Sequence, residues 1–147
     1  MDSSDADYIG GNSEDYGYAL ALDSANEVYV TGSTASSDFP LVNPYQGTYP
    51  GSSNGFLTKV SANGSSLLYS TYFGGNGSDQ PASIAIDSLG SVLVAGNTTS
   101  TNFPVVDPYQ ATASSNQGGV FGNYGFLTKF SPDGSYLVYS TAPMHSI

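Results

Sequence analysis

The residues able to do chemistry in this chain are few, and their kinds restrict what that chemistry can be. A Ser, His and Asp relay would have to recruit His145, the one histidine among 147 residues, which stands outside the repeated part of the sequence. Cysteine is absent, so thiolate nucleophiles, disulfide scaffolds and Cys or His zinc sites are excluded. Oxygen ligands remain. Asp2, Asp5 and Asp7, and then Asn12, Glu14 and Asp15, are the densest sets, and calcium is the one cofactor they would suit. Neither set follows the D-x-[DN]-x-[DN]-G spacing, and acidic turns commonly bond their own backbone amides, so the expectation is no cofactor. A glycosidase would need two carboxyls with opposed pKa values, one of them in apolar surroundings, and no acid in the sequence has such neighbours. The chain is therefore read as a non-enzyme, with a polysaccharide hydrolase or lyase kept as a further alternative.

Charge narrows the partners. Twelve acids against two lysines give a formal net charge of -10, which repels a phosphate backbone and excludes nucleic acid. Apolar runs are short, far below the ~20 residues of a membrane-spanning helix, so no membrane insertion is expected. The two cations, Lys59 and Lys129, hold matching places in two copies of one pattern. Each is expected to pair at the edge of its unit with the acid that leads into the first hairpin, Asp23 for Lys59 and Asp87 for Lys129. That role is structural.

The elements that must position these residues are written twice. Shifting the sequence by 64 places sets Tyr8, Gly10, Gly11 and Asp15 on Tyr72, Gly74, Gly75 and Asp79, then Phe39-Pro40 on Phe103-Pro104 and Pro44-Tyr45-Gln46 on Pro108-Tyr109-Gln110. Beyond that the shift becomes 70, so that Gly55 to Lys59 falls on Gly125 to Lys129, and the six extra residues mark a loop. Each unit holds four strand-like pieces rich in β-branched and aromatic residues: Tyr18 to Leu22, Val28 to Gly32, Phe56 to Val60 and Leu67 to Phe73, with their copies from Ala82 to Thr141. Asn26, Gly90, Asn63-Gly64 and Asp133-Gly134 sit where tight turns demand positive φ, which predicts hairpins. The connections from Ser33 to Asn54 and from Asn97 to Tyr124 are longer than ordinary structureless loops. They should share one end of the molecule, where Asp38, Phe39 and Tyr45 from one unit and Asn102, Phe103 and Tyr109 from the other form a candidate face for a glycan or a surface protein.

Four antiparallel strands repeated at this period are the pattern of propeller blades. The set Val28 to Gly32, Ser37 to Pro40, Phe56 to Val60 and Leu68 to Gly75 resembles the SBBP-type β-propeller repeat of bacterial extracellular proteins. The resemblance implies an all-β fold of two four-stranded blades, about 12–75 and 76–143, outside the cell or on its surface, and it supplies no catalytic residues. If the chain is exported, its leader is expected to have been removed or replaced by Met1. Two blades do not close a propeller, which usually needs 4 to 8, so closure is expected from neighbouring blades of a longer chain or from self-association into a ring or filament. Residues 7–11 match the tail of a fourth strand and are expected to complete one in another blade. The leading expectation is a structural or assembly module, including adhesion; the alternative is a carbohydrate- or protein-binding propeller.

Overall fold

A computed structural model describes residues 8–109 and 122–142. Its strands are β1 (Asp15–Leu22), β2 (Val28–Thr34), β3 (Asn54–Val60), β4 (Leu67–Phe73), β5 (Asp79–Ile86), β6 (Val92–Thr98), β7 (Tyr124–Phe130) and β8 (Leu137–Thr141). They form two antiparallel meanders, β1-β2-β3-β4 and β5-β6-β7-β8. No helix occurs among the described residues. The fold is all-β and unclosed. The hairpins follow from local chemistry: Asn26, Gly64, Gly90 and Gly134 take φ of 60°, 74°, 85° and 71°, and each donates its amide to the carbonyl three residues back.

Register assigns every side chain to a face. In the second sheet Ile84 pairs with Val94, Ile86 with Val92 and Val92 with Phe130, so these residues share one face, here called the front. In the first sheet Tyr29 pairs with Lys59, Thr31 with Leu57 and Gly55 with Phe73, which sets Tyr29, Leu57, Tyr69 and Phe73 on the back. The back of the first sheet meets the front of the second in one core. Phe73 stands edge-on to Phe126 and Phe130, at centroid distances of 5.9 and 5.2 Å. Fully burying a side chain of this kind contributes roughly 1.5–3 kcal/mol, so this seam holds the sheets together.

The inner strands bend where they must. A bulge falls between Gly17 and Ala19 in β1 and between Pro81 and Ser83 in β5. There the facing residue is Gly32 or Gly96, and a Cβ would collide with the carbonyl oxygen of Tyr16 or of Gln80. Glycine is required by this close approach of two backbones. The bulge falls within the strand-like piece Tyr18 to Leu22: Tyr18 is the extra residue, and its ring lies nearly parallel to that of Tyr16.

Candidate functional site

The repeat places equivalent residues in two different settings, and the contrast locates the site. At the seam, Leu57 is fully buried, as are Tyr29, Tyr69 and Phe73. Their counterparts on the back of the second sheet meet no further sheet among the described residues: Leu127 is 37% exposed, and Leu93 and Tyr139 are only half-buried. The front faces behave in the same way. Val92, Val94 and Phe130 are buried against the first sheet, whereas Val28, Val30 and Val60 are half-buried and Leu20, the counterpart of Ile84, is 67% exposed. Both outer faces keep apolar side chains at the positions that the inner seam buries.

The polar part of the seam centres on Asp79. Its carboxylate accepts hydrogen bonds from Thr98 Oγ1 (2.6 Å), Ser100 Oγ (2.8 Å), the Gly75 amide (2.9 Å) and Asn54 Nδ2 (3.3 Å). Its amide donates to the Ser53 carbonyl of the first unit, and its own carbonyl accepts from Ser33 Oγ. Burial pushes the carboxyl above the usual carboxylate range, and the four donors oppose that rise. Asp15, its counterpart, is held by Thr34, Ser36 and the Gly11 amide, and it is half-exposed where Asp79 is buried. The alignment of Asp15 with Asp79 marked the position in the sequence, while its latching role depends on the seam.

The candidate binding face is not assembled. Phe39 and Phe103 are core residues, packed on Phe56 and Phe126 at centroid distances of 4.6 and 4.7 Å. This corrects their reading as part of a face for a glycan or a surface protein. A loop aromatic that can fold back onto its sheet gains more by leaving water than by waiting for a ligand. Asp38 and Asn102 cap the links between units, accepting from the Asn12 and Asn76 amides at 2.8 and 2.7 Å. Tyr45 lies in the seam against Phe130, and Tyr109 is 96% exposed.

Lys59 Nζ lies 3.7 Å from Asp23 and 2.6 Å from Glu27, and Lys129 Nζ lies 2.8 Å from Asp87. Glu27 was hidden from the repeat comparison because Ser91 holds the matching place. The Lys129 ammonium, helped by the Ser91 and Leu89 amides, holds the Asp87 carboxyl below the usual range. At Asp23 burial works upward, but amide and hydroxyl donors led by Glu27 and Tyr29 prevail and lower it.

For calcium, the described members of the acidic sets are Asn12, Glu14 and Asp15, with the Asp15 carboxylate already bonded to hydroxyls and an amide. Asp2, Asp5, Asp7 and His145 lie outside the described residues. No group of three or more potential His, Cys, Asp or Glu ligands occurs among the described residues. No helix among them is long and apolar enough to cross a membrane. Of the segment 7–11, Asp7 lies outside the described residues, while Ile9 packs against the Phe39, Phe56 and Tyr72 cluster of its own chain.

A family model described as a β-propeller repeat matches residues 7–40 and 68–104. No curated protein matches the chain.

Proposed function

Because this chain belongs to the SBBP β-propeller repeat family, we propose that it is a non-enzymatic structural module that works by assembly, presenting two matched blade faces for further blades, at the cell surface or outside the cell. The observation that carries this reading is the chemical character of the two outer faces. A terminal repeat that ends a stack needs a polar outer surface for solubility. Here Leu20, Leu22 and Val60 on one side, and Leu93 and Leu127 on the other, retain the apolar type of the buried seam. Acidity elsewhere keeps the module soluble and deters non-specific sticking.

The acids support a structural reading over a catalytic one. Asp15, Asp23, Asp79 and Asp87 are each engaged with backbone amides, hydroxyls or a lysine of their own unit or its neighbour. The test is a genetic fusion of two copies in tandem. If the outer faces are blade seats, the fusion creates a third seam and unfolds at a higher temperature than the single chain, in one cooperative transition. Two independent transitions at the single-chain temperature would defeat the reading.

A further inference from the structure

The inner seam is closed by a tyrosine that leaves its own blade. Tyr45, on the loop between β2 and β3, packs against the shared core and stands edge-on to Phe130, with centroids 6.1 Å apart. The core it packs against includes Phe73, Phe130 and Leu137, all buried. The same place on the front of the first sheet is an open groove of about 300 Å³ whose lining includes Ile9, Pro40, Val60 and Leu67. These are the repeat counterparts of Phe73, Pro104, Phe130 and Leu137. Tyr109, the counterpart of Tyr45, is 96% exposed.

We propose that the occupant of this groove is Tyr109 of a second copy of this chain, which docks head to tail with the back of its second sheet on the front of the first. The inference rests on the assembly reading and names the partner. The inner seam is the template: each half of the contact exists in the chain, one half with its mate and one without. Ile9 already stands where Phe73, the end of a preceding blade's last strand, stands at the inner seam. Val60 is smaller than Phe130, which leaves the outer groove wide enough for a phenol ring. Such a contact joins unlike surfaces, so it propagates until a ring closes or a filament grows.

The test measures mass by light scattering across a concentration series for the wild-type chain, Tyr109→Ser, Val60→Trp and an equimolar mixture of the two variants. The wild-type chain is expected above the mass of one copy. Tyr109→Ser keeps the fold, since the Tyr109 side chain is 96% exposed, and should shift association to concentrations about tenfold higher or more, as loss of a buried aromatic anchor does. Val60→Trp fills the groove and should do the same. The mixture should form a complex of one copy of each, because one variant retains the groove and the other retains Tyr109. A monomeric wild-type chain, or association indifferent to Tyr109→Ser, overturns the inference. If separate copies stay apart while the tandem fusion is stabilised, the faces are blade seats whose occupant is not a free second copy; a fusion without added stability overturns the assembly reading itself.

Discussion

Tyr45 and Phe130 belong to different blades yet meet edge-on, with ring planes at 83°, so a loop residue of one unit completes the core of the next. This geometry suits the opposed charge of ring edge and face and adds to the area buried.

Replacing Tyr45 with Ala should lower unfolding free energy by about 2 kcal/mol, somewhat below the loss at a fully buried aromatic. The matching change at Tyr109, measured at a dilution where copies are separate, should cost about 0.5 kcal/mol or less. Urea unfolding of both variants gives the comparison. Equal losses would show that Tyr45 does not bind the seam.

A methyl group at residue 96 has nowhere to go, since it would strike the backbone of Gln80 and Pro81. Gly96→Ala is therefore expected to cost about 1–3 kcal/mol, as overpacking does, and to loosen β5 from β6. Hydrogen exchange at Ile84 and Val94 should accelerate in this variant. Gly125→Ala, whose added carbon would meet the Gly96 carbonyl oxygen at an ordinary 3.9 Å, is the control.

Lys59→Met tests the paired edge charges. Lys59 bridges Asp23 and Glu27 and lies over the Tyr29 ring at 5.1 Å, but solvent screens the cluster, so the loss should be about 1 kcal/mol or less and should shrink in high salt. Lys129→Met removes a single bridge and should have the smaller effect. A loss that does not change with salt would assign the lysine a packing role alone.

Asp79 and Asp87 should bend the pH profile in opposite directions. The folded Asp79 pKa is raised from 3.8, chiefly by burial, so the stability linked to its proton is fully present below 3.8 and is lost as pH rises through the raised value. The folded Asp87 pKa is lowered, chiefly by Lys129, so its stability is present above 3.8 and is lost as pH falls through the lowered value. Melting temperatures of Asp79→Asn between pH 3 and 7 should therefore lack the decline on the alkaline side expected of the wild-type chain. An unchanged profile would remove Asp79 as its source.

Much of this architecture was legible in the sequence because it is set by local rules. Alternating β-branched and aromatic residues mark the strands, and Asn26, Gly64, Gly90 and Gly134 mark the hairpins, since only residues tolerant of positive φ can turn there. The 64-residue shift revealed two units, and its change to 70 aligned Lys59 with Lys129. The long-loop aromatics were read less well. Phe39, Tyr45 and Tyr109 are all aromatics in one kind of loop, yet the first lies in its own blade's core, the second in the seam and the third in water.

Local sequence thus determined the repeat, the strands, their turns and the apolar character of every blade face, because backbone dihedrals and two-residue alternation depend on near neighbours. Only the tertiary structure decided which of those faces is covered. Burial is a property of pairs of surfaces, and the same side chain at Leu57 and at Leu127 is hidden or exposed according to whether a second sheet lies against it.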